Sequence, residues 1–412
     1  MLIQTTTPRA TRRCRSLSNL NIVFAPDHVL PPNTTRMRMG SRASLLIHEV
    51  LPSEIMVIIF EEHAKLEWFA PVIDGRVCRV WRQIILHAPR AWTYIEIAWS
   101  RTLRISDLLP WLDRSRTAPL HITVSDNLIL SNRTNYQTLN QLLFEYHARI
   151  ASLQMHTSNR CFSEGPDFPC MQHLHIMRSL SFRSPPVSRS HMPNLRSLCL
   201  GPYVPVASLD ALAPLRVLVL FNGKITSLSQ HSPSLVTLML HSVKLADAIS
   251  GSVDFPSLTY LSLYDMSDLK PHINAPYLVT YHEYNAKKHK SFSAPVHSLV
   301  EYGLLDLNSH RLDLTKWHSF FPNISRLSIR VKPHNLISLL NSLSIHPQLL
   351  PALQMISVGH YKGFTKKAQG TMEDLVRVRS EACHMDVTLY FEPEKPMHIP
   401  LFFGQVGHQP AR

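Results

Sequence analysis

The chain has 412 residues, enough for two or three domains with a large buried core. Hydrophobic residues make up 45% and charged ones 17%, which is too apolar for a solvated coil, and no apolar run of about 18 residues occurs that could cross a membrane. The formal charge is +13, but residues 1–44 hold seven Arg and one Asp, so only +7 remains on the other residues. They show no interleaved basic and aromatic stripe of the nucleic-acid-binding kind.

The N-terminal stretch 1–26 has no acid, carries Arg9, Arg12, Arg13 and Arg15, and is rich in Ser and Thr, a composition shared with mitochondrial transit peptides. Pro8, Pro26, Pro31 and Pro32 interrupt any long amphipathic helix, so the preferred reading of residues 1–44 is a disordered basic arm.

Residues 51–92 read as helices. Pro52 suits a first helical turn, and Ile55, Ile58, Ile59 and Leu66 follow at helical spacing. Val77, Val80, Trp81, Ile84 and Ile85 then fall at i, i+3, i+4, i+7 and i+8 before Pro89 stops the run. Trp68, Pro71 and Gly75 lie between the two, so a middle helix is short or broken. The ordered set Leu51-Pro52, Ile59-Phe60, Val77-Cys78-Arg79-x-Trp81-Arg82 and Ala88-Pro89-x-x-Trp92 resembles the F-box-like module abundant in mushroom-forming fungi. That resemblance covers about a tenth of the chain. It implies a helical domain over residues 45–100 that binds a Skp adaptor, and through it a cullin. Leu51, Pro52, Ile55, Ile59, Phe60, Val77, Cys78, Trp81 and Arg82 are the residues expected at the adaptor. Periodicity alone favours reading the same helices as core faces of a cap on a larger domain, and the ordered motif set reverses that preference.

Leu103–Arg116 is expected to form a short helix broken at Pro110, and two alternating segments, 120–124 and 150–155, read as strands that begin the array of repeats that follows. From residue 169 a phrase, roughly Pro-x-Leu-x-x-Leu-x-Leu, recurs. Its first apolar positions are Met171, Leu195, Leu215, Leu235, Leu258, Leu278, Leu299, Ile324 and Leu353, spaced by 24, 20, 20, 23, 20, 21, 25 and 29 residues. Periods of 20–29 with this pattern are those of leucine-rich repeats, in which each unit buries its leucines only against its neighbours. The Asn or Cys that typically follows this motif is mostly missing. The sixth unit also puts Tyr281 and Glu283 at apolar positions, so irregularity is expected there and across the long final spacings. A helix over 371–382, behind the Thr-x-x-Asp opening and carrying Met372, Leu375, Val376 and Arg379, and a strand over 386–391 are expected to close the array. The fold class read from the chain is therefore α/β (α+β). An N-terminal helical F-box precedes an irregular leucine-rich repeat solenoid with a parallel sheet over residues 101–392, and 393–412 form a flexible tail.

Six cysteines form no CxxC pair and no regular framework, which points to no metal site, no disulfide scaffold and a reducing compartment. The 24 histidines scatter, and His173 with His175 fits alternation along a strand. No phosphate-binding, nucleophile-elbow or H-E-x-x-H motif occurs, so the expectation is a non-enzyme with no cofactor and no catalytic residues. Joining the two resemblances gives a substrate receptor of a Skp–cullin–F-box ubiquitin ligase in cytoplasm or nucleus, binding neither nucleic acid nor membrane. The alternative is a non-ligase repeat scaffold. The outward strand residues expected to meet an unidentified target are Gln172, Arg196, Arg216, Thr259, Tyr260, Glu301 and Arg326, among which Arg196, Arg216, Tyr260, Glu301 and Arg326 are the candidate contacts.

Overall fold

The computed structural model describes residues 50–97, 105–124, 133–157, 166–178, 191–201, 212–222, 224–225, 228–245, 252–284, 292, 294–307, 319, 321–331, 333–346, 348–359, 370–371, 374–375, 377–378 and 388–392. The expected basic arm and flexible tail lie outside them, as do Met372, Val376 and Arg379.

Three helices come first: α1 (Ser53–Leu66), α2 (Ala70–Asp74) and α3 (Arg79–Leu86), followed by a 3-10 turn at Pro89–Trp92. The middle helix is short, with Pro71 in its first turn and Gly75 just past its end. Pro52 stands just ahead of α1 rather than inside it, and its carbonyl accepts from Ile55 N and Met56 N, both at 3.1 Å.

Thirteen strands then build one parallel sheet: β1 (Tyr94–Ile97), β2 (Leu120–Val124), β3 (Ile150–Thr157), β4 (His173–Arg178), β5 (Ser197–Leu200), β6 (Val217–Phe221), β8 (Thr237–His241), β11 (Tyr260–Tyr264), β13 (Thr280–Tyr284), β14 (Glu301–Leu307), β15 (Arg326–Val331), β16 (Met355–Gly359) and β17 (Thr388–Glu392). Within this sheet each strand pairs with the ones before and after it in that series. The short strands β7 (Lys224–Ile225), β9 (Lys244–Leu245), β10 (Val253–Asp254) and β12 (Ile273–Asn274) make two minor pairs, β7 with β9 and β10 with β12. Helices α4 (Ile105–Arg114), α5 (Arg133–Tyr146) and α6 (Pro333–Ile345) fill longer connections.

The recurring phrase has a local physical cause. In Phe255-Pro256-Ser257-Leu258 the Leu258 amide donates to the Phe255 carbonyl at 3.3 Å, and Leu353 closes on Leu350 in the same way at 3.1 Å. Proline occupies the second position of both these turns, where its fixed φ fits. The residue just before the first apolar position joins successive units: Asn194 Nδ2 donates to Pro169 O, Ser257 Oγ to Pro233 O and Ser298 Oγ to Pro276 O, at 2.7, 2.9 and 2.7 Å. All nine first apolar positions of the phrase are buried.

The register aligns Leu174, Leu198, Leu218, Leu238, Leu261, Tyr281, Tyr302, Leu327, Ile356 and Leu389 into one row. Those described in this row are essentially sealed from solvent, and they belong to one apolar core that runs from Met56 to Leu375.

Three expectations are corrected. The sheet begins at Tyr94, not near residue 120, because β1 pairs in register with β2 from Tyr94 opposite His121. The α4 helix runs through Pro110; Leu108, Trp111 and Leu112 are buried on both sides of it and hold the helix across the lost hydrogen bond. The sixth unit stays in register at Tyr281 and Glu283, and the sheet's late irregularity is a bulge between Leu305 and Leu307. The 29-residue spacing after Ile324 houses α6. At the C-terminal end the described residues between 370 and 378 are helical, Leu375 is buried, and the closing strand is Thr388–Glu392.

Candidate functional site

The helical module is apolar on two sides. Met56, Phe60 and Ala64, at i, i+4 and i+8 of α1, point into the core. The opposite stripe faces solvent: Ile55 is 43% exposed, Ile58 54%, Ile59 44% and Leu66 87%. Val77 and Val80 are exposed at and just before α3, where Ile85 is buried and Trp81 and Ile84 are half-buried. Nine of the sixteen large apolar side chains that stand exposed among the described residues fall between Val50 and Leu86, which sets this surface apart from the other described residues.

Polar contacts fix the helices to one another. Cys78 caps α3, its Sγ accepting from Trp81 N at 3.5 Å. Arg82 Nε donates to Gly75 O at 2.9 Å, and His63 Nδ1 lies 2.9 Å from Asp74 Oδ2 across α1 and α2. The Trp81 ring packs 5.2 Å from Phe60. Trp111 of α4 lies 5.4 Å from Trp68 and 5.7 Å from Trp92, joining the helices to the first coil of the sheet, while Arg114 covers the Trp92 ring at 4.5 Å. Trp92 also donates from Nε1 to Ile85 O at 2.9 Å.

Of the nine residues expected at an adaptor, Ile55, Ile59 and Val77 are open apolar surface, Pro52 and Arg82 are exposed, and Leu51, Cys78 and Trp81 are half-buried. Phe60 is core and supports the surface from behind.

The outward sheet face carries a second constellation. Tyr260, Glu301 and Arg326 lie in one row of it, aligned through Thr280. Gln172, Arg196, Arg216 and Thr259 lie one residue ahead of their strands, where the first three are exposed and Thr259 is half-buried; Arg196 and Arg216 are neighbours there, with Arg216 N donating to Arg196 O at 2.7 Å. The expected target contacts therefore split into two groups.

Tyr260 Oη lies 3.1 Å from His282 Nδ1, and His282 Nε2 lies 3.1 Å from Glu301 Oε1. The imidazole fits because Gly303 has no side chain: a Cβ there would sit 2.5 Å from His282 Cδ2. The hydrogen bond from His282 holds the Glu301 carboxyl below its usual value, with the Arg326 charge contributing, and burial raises Tyr260.

Along the C-terminal ends of adjacent strands runs an aromatic ladder. His241 stacks on Tyr264 at 3.7 Å, Phe221 lies 5.2 Å from His241, and Tyr264 lies 5.8 Å from Tyr284. Each of the first three rungs is followed by a residue with positive φ, Asn222, Ser242 and Asp265, whose amide donates to the last carbonyl of the next strand. The recurring aromatic-then-Asn/Ser/Asp pair in the sequence is the signal that could have found this ladder. On β5 and β6 the outward face is itself apolar and buried at Cys199, Val217 and Val219, against the simple alternation expected there.

Two histidines expected merely to alternate, His173 and His175, share this face in β4. His121 stacks on Tyr94 at 4.6 Å, and burial, reinforced by His173 and Lys65, lowers it to about 4. No cluster of His, Cys, Asp and Glu suited to a metal occurs among the described residues, and no helix there is long and apolar enough to cross a membrane. No family model, curated protein or solved structure matches the chain.

Proposed function

We propose that the chain is the substrate-recognition subunit of a Skp–cullin–F-box type ubiquitin ligase. The helical module would hold the adaptor, and a leucine-rich repeat solenoid, of which the thirteen strands form one face, would hold a target protein. The observation that carries this reading is the solvent-facing stripe Ile55–Ile58–Ile59–Leu66 with Val77 and Val80. Helices serving only as a cap would turn that stripe inward, whereas here a separate set, Met56, Phe60 and Ala64, does the capping. Covering a side chain of this size contributes about 1.5–3 kcal/mol, so even part of the stripe suffices for a stable partner contact.

Proximity is then the mechanism. The receptor supplies no chemistry; it raises the local concentration of a bound target beside the transferring enzyme. Such an assembly belongs to cytosol or nucleus. The tryptophan cluster around Trp111 supports the second reading, a non-ligase scaffold whose helices close the end of the array.

The two are separated by titrating the full chain with purified Skp adaptor. Micromolar or tighter binding, lost in Ile59→Asp but kept in a surface control such as Arg216→Ala, is expected. A wild-type chain with no measurable binding leaves the scaffold.

A further inference from the structure

The outward face presents an ionised carboxylate beside an aromatic surface. Glu301 is held by His282 on one oxygen, Oε1, and no ion pair within 4 Å joins it to Arg326. His282 is itself positioned from the far side by Tyr260 and from below by the bare backbone of Gly303. The Phe221–His241–Tyr264–Tyr284 ladder begins one strand away, at the opposite ends of the strands. Four strand residues separate Glu301 from the level of Tyr284, about 13 Å along the strands. A carboxylate fixed by a hydrogen bond pairs strongly with guanidinium or ammonium, and aromatic faces attract cations and apolar side chains alike.

We propose that this face binds an extended segment of a partner protein that runs along the strands, seating an arginine or lysine at Glu301 and an apolar or aromatic side chain on the Tyr264–Tyr284 end of the ladder. The inference deepens the target-receptor half of the proposed function and rests on it for biological meaning; the binding chemistry stands on the geometry alone. The segment's chemistry runs against the chain's overall charge of +13, which would by itself attract acidic peptides. Selection of a cationic segment would therefore report this local site rather than the general field.

The test is to pan a random linear peptide library displayed on phage against the full-length chain, then synthesise the strongest peptide and titrate it. The expected result is enrichment of Arg or Lys with an apolar or aromatic residue about four positions away. Glu301→Gln and Tyr264→Leu, each with an unchanged circular dichroism spectrum, should each weaken the peptide by about fivefold or more. Enrichment of acidic peptides, no enrichment at all, or binding within about twofold of wild type in either variant overturns the proposal. Adaptor titration on the same preparations keeps the two ideas apart: a chain that binds the cationic peptide and not the adaptor loses the ligase reading and keeps this surface.

Discussion

Lys270 Nζ lies 2.7 Å from Glu283 Oε2, and both side chains are 1% exposed. Glu283 occupies a core position between Leu263 and Leu304 in the register, so the sheet carries a carboxylate where its neighbours carry leucine. Tyr302 Oη donates to the same oxygen at 3.0 Å, and the Lys270 ammonium lies 5.3 Å from the Tyr281 ring centre. Burial pushes Lys270 down and the Glu283 charge pulls it back. A lone charge at this depth would be costly, and the pair with its added hydrogen bond makes it tolerable.

Removing one partner should therefore cost more than removing both. Lys270→Met alone is expected to destabilise by about 3–5 kcal/mol, and Lys270→Met with Glu283→Leu by clearly less. Urea unfolding of the two variants measures the difference; equal losses would mean that the charges are not coupled.

The two sides of α1 should respond oppositely. Phe60→Ala empties core volume beside Trp81 and should lower stability by about 3–5 kcal/mol. Ile59→Asp, on the open stripe, should stay within about 0.5 kcal/mol of wild type. Thermal unfolding of both variants decides this, and a destabilised Ile59→Asp would show that the stripe is covered within the folded chain.

Leu238 sits sealed in the middle of the inner row, and each unit touches only its neighbours. Leu238→Asp should remove amide protection from β6, β8 and β11 while α1 to α3, fastened to β1 through Trp92 and Trp111, keep theirs. Hydrogen exchange read by mass spectrometry reports it, and uniform loss across the chain would contradict the local picture.

Gly303→Ala would press a methyl group into His282 and break the Tyr260–His282–Glu301 chain. A loss of about 1–3 kcal/mol is expected, with the same change at an exposed control position near zero. Equal effects would mean that the imidazole swings away without consequence.

His121 titrates at about 4 in the fold because burial disfavours its charged form, against 6.5 in the unfolded chain. Its folded value is depressed, so the unfolded state takes up the proton first as pH falls. Its own contribution should be flat above about pH 7 and be lost between roughly 6.5 and 4, with a slope of at most about 1.4 kcal/mol per pH unit, to which His173 and His241, also lowered by burial, add slopes of the same sign. His121→Phe should reduce the slope over that range, and a variant curve as steep as the wild-type one would disprove the assignment.

Local rules read well where the chemistry was local. The Pro-x-Leu turn, the two-residue alternation and the helical spacing of α1 and α3 are set by neighbours a few positions apart, and the long parallel sheet of an α/β chain follows from repeating them. Direction was harder. Ile55, Ile58, Ile59 and Leu66 have the spacing of a buried face, yet Met56, Phe60 and Ala64 took the core side. Both stripes are apolar, and packing in the folded chain, with Trp81 5.2 Å from Phe60, selects between them.

Composition and local spacing therefore determined that the chain folds around a large apolar core with one strand per recurring phrase. Tertiary structure decided the rest. Glu283 could be read only as an interruption until Lys270, thirteen residues earlier, was brought against it. His282 could be read only as a scattered histidine until the register set it over Gly303 and between Tyr260 and Glu301, since cross-strand neighbours about twenty residues apart leave no trace in local spacing.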